Sequence, residues 1–436
     1  MHKFLMISVL LFVGLNPASA HDLLEIYDLA WQNDPTLHEF EENKNAALEA
    51  KPQSLAKLLP TLGIVGNLNG NRFNTDNTFT NLQLGTQYFW DSNVFLKLSQ
   101  PVYHHDYWIQ LSQSENQIAQ AEAEYEAEQQ NFFIRTAKAY FGVLAAQSNL
   151  QFASAEKQSL EFQLKQAKKR FEVGTASITD IREAQAGFDQ SKASEIDAEK
   201  KLREAKSILT EIIGLFDVEL NPLRDDVPLE LPIPSNLDDW IGLARQNNWT
   251  IIAASNRAEA LRKNVEIQFS GHLPTLDFVG NFGVSDTDRP AGMVSNSQTI
   301  GLQLNVPIFQ GGGVESRIRQ AEHQLAGAKQ NVDKQRRAAE RQAQDAYQGI
   351  ELSISQIEVL KSAVESTKVA LNAAEKGLSV GTRTMADVLT VTRNLSRAQR
   401  DHAQARYDYI LSGLTLKQAT GSISRTDLEV VNKWLH

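Results

Sequence analysis

The chain has 436 residues, a formal net charge of −10 and no cysteine. An acidic balance argues against nucleic acid, whose phosphates demand clustered Lys and Arg. The missing cysteine excludes disulfides, thiolate metal sites and a cysteine nucleophile. Beyond the first twenty residues no apolar run reaches the ~20 residues of a membrane helix, so a membrane-crossing form of this chain has to be a β-barrel.

In chain order, residues 1–20 predict a signal peptide: Lys3, then an apolar stretch from Phe4 to Leu15, then the small-residue site Ala18-Ser19-Ala20. The mature chain is expected to start at His21 and to open a first repeat, 21–220. A helix is followed there by a β-hairpin over about 61–100, where Leu62, Ile64 and Leu68 alternate with Gly63, Val65, Asn67 and Asn69. On its second strand Val94, Leu96 and Leu98 alternate with Asn93, Phe95, Lys97 and Ser99. Two long helices follow, about 106–172 and 178–214; Asp106 to Phe171 holds no proline and one glycine, Gly142. A proline-bearing linker, 221–235, leads to a second repeat, 236–436. It again predicts a helix, a hairpin over about 275–307, long helices over about 314–377 and 385–418, and a short C-terminal segment. In that second hairpin Leu276, Phe278, Gly280, Phe282 and Val284 share one face, and Ile300, Leu302, Leu304 and Val306 share one face of the partner strand.

The duplication rests on four matches in the same order. Leu29-Ala30-Trp31-Gln32-Asn33-Asp34 returns as Leu243-Ala244-Arg245-Gln246-Asn247-Asn248, and Leu59-Pro60-Thr61-Leu62 as Leu273-Pro274-Thr275-Leu276. Ala139-Tyr140 returns as Ala346-Tyr347 and Val173-Gly174-Thr175 as Val380-Gly381-Thr382, at a spacing seven residues shorter, so the second copy carries a deletion before its long helix. Strand alternation alone fits a membrane barrel or a soluble sheet with one wet face equally well. The helices favour the barrel. Some sixty residues of helix reach about 90 Å, far beyond globular lengths. Their apolar residues step by four and three, as Val314, Ile318, Ala321, Leu325, Ala328 and Val332 do. That stripe reads as coiled-coil core rather than a cofactor box.

Four strands cannot close a barrel, since about eight is the smallest number that does, and open edges in lipid are forbidden. Two chains give eight strands with a filled interior; three give twelve and a lumen. The Gly, Asn, Ser and Gln residues of the other strand face suit water, which favours three.

The sequence resembles the TolC family of outer-membrane efflux proteins from His21 to its end. The resemblance is carried by Val380-Gly381-Thr382-Arg383-Thr384-Met385-Ala386-Asp387-Val388-Leu389, by Arg170-Phe171-Glu172-Val173-Gly174 through Ile178-Thr179-Asp180, and by Pro307-Ile308-Phe309-Gln310-Gly311-Gly312. It implies a mixed, mainly α fold. In that fold a two-repeat chain has long antiparallel coiled-coil helices forming a periplasmic α-barrel, and its four strands contribute to a trimeric twelve-strand outer-membrane β-barrel. It also implies a Gram-negative outer membrane, no cofactor, and docking to a periplasmic adaptor (membrane fusion) protein and an inner-membrane pump.

By the same resemblance the two glycine-centred turns, Val173, Gly174, Thr175 and Val380, Gly381, Thr382, are periplasmic tips where the adaptor docks and the tunnel closes. Arg383 matches a gate arginine, Thr179 and Asp180 its partners, and Asp387 a carboxylate ring favouring cations. Leu378 stands where the family has a latch tyrosine and Thr390 where it has a second ring aspartate, which implies a simpler gate. Gly311 and Gly312 read as a strand-to-helix hinge. Independently of the resemblance, Thr384-x-x-Asp387 and Ser177-x-x-Asp180 are capping-box patterns, and both roles can hold together.

Other candidates are weaker. His104-His105 lacks a third metal ligand and reads as a surface pair. Asp286-Thr287-Asp288 lacks the rest of a calcium set. Gly311-Gly312-Gly313 lacks the Lys-Ser/Thr of a phosphate loop. Tyr88, Phe89 and Trp90 suit a lipid interface or a packed loop. No nucleophile, metal or phosphate constellation points to an enzyme. The expected function is an exit duct for drugs, small molecules or proteins in an efflux or type I secretion system; a periplasmic coiled-coil scaffold explains the helices but not the strands.

Overall fold

The structure, a computed structural model, describes residues 20–77, 82–214, 218–288 and 293–436, with side chains 75–77 and 82–84 excepted. The expected leader, apart from Ala20, lies outside the described residues. Two compact units are formed, each drawing on both sequence copies: residues up to His38 with Ala127–Asn248 and Ala339–His436, and Glu39–Glu126 with Trp249–Ala338.

The chain is mainly helical. α1 (Leu23–Asn33), α2 (Pro35–Leu48) and α3 (Ala50–Ala56) lead into β1 (Thr61–Asn77) and β2 (Leu82–Tyr103). α4 (His105–Glu172) and α5 (Ile178–Ile213) follow. The second copy repeats the pattern with α6 (Leu237–Asn247), α7 (Trp249–Phe269), a 3-10 turn at Ser270–His272, β3 (Thr275–Thr287) and β4 (Met293–Asn305). It then runs through α8 (Gly313–Ser379), α9 (Met385–Ala419) and α10 (Arg425–Asn432). α4 spans 68 residues and α8 spans 67, because neither carries a proline to break its ladder.

In the second unit the strands form one antiparallel sheet in the order β1-β2-β3-β4. The register sorts side chains into uniform rows. Leu62 lies opposite Leu98, Leu98 opposite Gly280, and Gly280 opposite Ile300; Ile64, Leu96 and Phe282 form the next row. One face is therefore mainly apolar, although Phe282 faces Gln298 and Val284 faces Asn296 on β4, and nothing described covers it: Ile64 is 75% exposed and Ile300 64%. The opposite face places Asn67, Asn93, Ser285 and Ser295 in one row. A soluble sheet of this kind packs its apolar face on a core, and this one does not. The outer edges of β1 and β4 have no strand partner among the described residues.

Two local features tune the sheet. Pro101 has no N–H to donate, and it falls where β2 has passed the start of β1, so only β3 lies beside it; the register shifts there. At Gly283 the Phe95 ring of the neighbouring strand lies across the backbone, and any Cβ would overlap it. The same unit is tied helix to helix where Lys263 Nζ donates to the Ser112 carbonyl at 2.8 Å and Gln113 to the Ala260 carbonyl at 2.7 Å.

In the first unit Leu23, Ile26, Phe132, Tyr140, Leu416 and Leu428 form part of a closed core. The linker between the copies is pinned by equivalent tyrosines: Tyr140 Oη donates to the Asn221 carbonyl at 2.8 Å and Tyr347 Oη to the Ser235 carbonyl at 2.9 Å. The corner between α1 and α2 is held by charge. Asp34 is 2% exposed, and its Oδ1 accepts from the Thr36 and Leu37 N–H groups. Its Oδ2 accepts from Arg135 at 2.8 Å, and Arg135 also donates to Glu128 at 2.7 Å. Burial opposes the guanidinium charge, but the hydrogen bonds to Glu128 and Asp34 outweigh it and raise the Arg135 pKa. In the second copy neutral Asn248 occupies the matching corner and donates to the Ala419 carbonyl at 2.9 Å.

Arg135→Met strands two buried carboxylates. It is expected to cost about 3 kcal/mol, read as a lower midpoint for thermal helix loss; a loss under about 1 kcal/mol would show that the triad does not hold this corner.

Candidate functional site at the helical tips

Both helical hairpins of the first unit end in the same turn. At the first, Gly174 adopts φ +78, the Thr175 N–H reaches the Arg170 carbonyl at 2.8 Å, and the Gly174 N–H reaches Phe171 at 2.9 Å. At the second, Gly381 adopts φ +80 and the Thr382 N–H reaches the Gly377 carbonyl at 2.9 Å. The six-to-one bonds from Thr175 and Thr382 close the last helical turn, and the glycine supplies the left-handed residue they need. Val173 and Val380 stand exposed at the two apices.

Each outgoing helix starts from a complete capping box. The Asp180 N–H donates to Ser177 Oγ at 3.1 Å and the Ser177 N–H returns to Asp180 Oδ2 at 2.8 Å. At α9 the Asp387 N–H donates to Thr384 Oγ1 at 3.2 Å, while the Thr384 N–H and hydroxyl both donate to Asp387 Oδ2 at 2.9 Å. Both carboxylates singled out in the sequence are therefore helix caps. Hydrogen bonds from the Thr384 backbone and then its side chain hold the Asp387 carboxyl below the usual range; slight burial opposes them, and the Arg383 charge assists.

Arg383 and Asp180 do not meet. Within the chain, and among the described residues, Arg383 forms no ion pair with Asp180 or Asp387, and its stem lies over Gly377, where a Cβ would meet Arg383 Cγ at 2.6 Å. α8 runs past Gly377 to Ser379, and the left-handed stop is Gly381. Thr179 is exposed beside Asp180. Leu378 packs against an apolar cluster of Leu160, Leu164, Ala167, Ala184, Met385 and Leu389. Thr390 donates its hydroxyl to the Ala386 carbonyl of its own helix at 2.8 Å.

The joint between the hairpins uses residues that sequence reasoning missed. Arg170 Nη2 donates to the Leu378 carbonyl at 3.0 Å, and Gln163 donates to Glu375 at 3.1 Å. α5 and α9 approach closely at Gly187, where a Cβ would sit 3.4 Å from Leu389. The one hint in the sequence was the position of Arg170 in the last turn of α4, where a cation complements the helix dipole.

The weaker candidates resolve in the second unit. His104 is not a free surface residue: its Nε2 lies 3.0 Å from Asp277 Oδ1 and its ring stacks on Tyr107. Asp288 Oδ1 accepts the Trp90 N–H at 2.6 Å, which gives that carboxylate a structural task. Gly311 and Gly312 both take positive φ, turning the chain from β4 into α8.

The family model for outer membrane efflux proteins matches residues 26–215 and 240–422, one stretch in each copy. The chain belongs to this family. It is 37% identical over 421 residues to the outer membrane protein TolC of Vibrio cholerae, covering 95% of this chain and 94% of that one. It is 26% identical over 419 residues to the alkaline protease secretion protein AprF of Pseudomonas aeruginosa, covering 95% and 87%. The crystal structure of the CmeC outer membrane channel of Campylobacter jejuni superimposes with a TM-score of 0.78 at 19% identity, over 96% of this chain and 90% of that one. The chain is thus an outer-membrane exit duct, in a family of channels rather than enzymes, and the mixed, mainly helical fold with four antiparallel strands meets the expectation.

The cap at Asp387 has a pH signature. A carboxylate with a lowered pKa adds stability above its unfolded pKa, and loses it as pH falls through the folded one. Protection of the Thr384 amide, which donates to Asp387 Oδ2, should hold down to about pH 4 and fall below it. In Asp387→Ala that protection should already be low at neutral pH; equal protection in the two proteins would refute the cap's contribution.

Proposed function

We propose that three copies of this chain close a twelve-strand barrel continued by a helical tunnel into the periplasm, and that this duct conducts cargo passively. The observation that carries the reading is the open four-stranded sheet, apolar on one exposed face and polar on the other. Lipid takes the first face, a water-filled lumen the second, and neighbouring copies the free edges. Eight strands would fill their interior with side chains, whereas twelve leave a channel for the Asn and Ser rows to line.

The duct draws cargo from an inner-membrane pump through a periplasmic adaptor. The secretion role named in AprF and the efflux role of the family support both protein and small-molecule export. The adaptor docks on the two tip turns, where Val173, Gly174, Thr175 and Val380, Gly381, Thr382 present the same backbone shape twice. Asp387 from each copy rings the constriction and favours cations. Arg383, without an ion pair among the described residues of its own chain, latches neighbouring helices through Asp180 and Thr179. With Leu378 committed to apolar packing and Thr390 to its own helix, the gate has one acidic ring and fewer bonds holding it shut. Gly311 and Gly312 act as the hinge between barrel and tunnel.

Cell fractionation tests the duct: the protein should sediment with outer membranes and change its gel migration on heating. Recovery in the soluble periplasmic fraction would overturn the reading. In planar bilayers Asp387→Ala should reduce the preference for cations several-fold and Arg383→Ser should raise the resting conductance. An unchanged ion preference would remove Asp387 from the constriction.

A further inference from the structure

β4 stops at Asn305, and the chain then runs Val306-Pro307-Ile308-Phe309 before the glycine turn. Pro307 cannot donate to a strand ladder, which explains why pairing ends there. Ile308 is 96% exposed and Phe309 85%, the first being the most exposed large apolar side chain described. At the same end of the sheet lies the approach to β1, since Thr275 pairs with Asn305 and Ser99 pairs with both Thr61 and Val279. Leu48 at the end of α2, Leu55 in α3 and Leu59 in the bend after it are exposed along this approach. The flank of α3 that meets α4 is already used, by Lys51 with Glu115 at 3.2 Å and Lys57 with Gln110 at 2.6 Å.

We propose that the segment Val306 to Phe309 of one copy packs on Leu48, Leu55 and Leu59 of the next copy, forming an apolar clasp below the strands. The inference rests on the ring closure proposed above. Directions alternate along β1-β2-β3-β4, so β4 of one copy meets β1 of the next antiparallel. The segment leaving β4 therefore emerges beside the segment entering the neighbour's β1. Each patch sits at one free edge of the sheet, at the same end, and among the described residues each stays exposed, the leucines by 41% to 51%. A ring brings such a pair together once per interface. The clasp thus adds buried apolar surface where the backbone ladder ends, and couples barrel closure to seating of the first helices.

The chain has no cysteine, so thiols can be introduced cleanly. Leu59→Cys combined with Phe309→Cys in the full chain, treated in outer-membrane preparations with a short bismaleimide, should give covalent dimers and trimers on denaturing gels. Either single variant should stay monomeric. Glutaraldehyde, which joins lysines regardless of register, reports the ring separately. A glutaraldehyde trimer without the thiol product overturns the clasp and leaves the ring standing; absence of both overturns the two together. Phe309→Ser should speed trimer dissociation in detergent at least about tenfold, as the loss of a buried phenyl ring predicts, and an unchanged rate overturns the clasp. Phe309→Trp should escape quenching by brominated lipid; strong quenching would assign the segment to the membrane surface instead.

Discussion

The outer edges of β1 and β4 carry backbone N–H and C=O groups that the described chain leaves without strand partners, and lipid supplies no hydrogen bonds. That demand for backbone pairing governs the rest of the molecule. It makes a single copy an incomplete object, and it turns the uncovered apolar face from a liability into a specification for its surroundings. It also explains why the pairing of β2 with β3 matters: the long run from Asp91 with Thr287 to Tyr103 with Leu276 joins the two sequence copies into one rigid piece. The chain therefore presents four strands as a single unit rather than two loose hairpins.

Duplication left a second kind of order. Tyr140 and Tyr347 occupy equivalent positions and both donate to carbonyls of the linker, so the same kind of bond clamps both ends of a segment that belongs to neither copy. The corners diverged instead. Asp34 recruits Arg135 and Glu128, whereas Asn248 meets a helix-end carbonyl without charge. A neutral amide satisfies a buried carbonyl at little electrostatic cost, while a buried carboxylate has to bring its cation along. Two solutions to one geometric problem thus coexist in one chain.

How much could be read from the sequence follows from how local each signal is. Helix ends at the tips were legible because their causes lie within a few residues: Gly174 and Gly381 for the left-handed stop, Ser177 and Thr384 for the caps. Sheet faces were legible because alternation is a short-range pattern. What stayed hidden depends on partners far along the chain. Nothing near Arg170 indicates that it will bond the Leu378 carbonyl, nor does anything near His104 indicate Asp277. Gly283 shows no local need for glycine until Phe95 is laid across it.

The cap at α9 has a mechanical consequence. Asp387 is fixed through Oδ2 to both the amide and the hydroxyl of Thr384, so its charge is bolted to the helix end instead of swinging on a free side chain. Any tilt or rotation of α9 carries that charge along the same arc as the backbone. If the proposed constriction is built from three such helices, their rigid-body motion would widen or narrow a circle of negative charge while keeping its members and their orientation constant. The electrostatic field at the tip would then report helix position directly, with little side-chain rearrangement between one setting and the next.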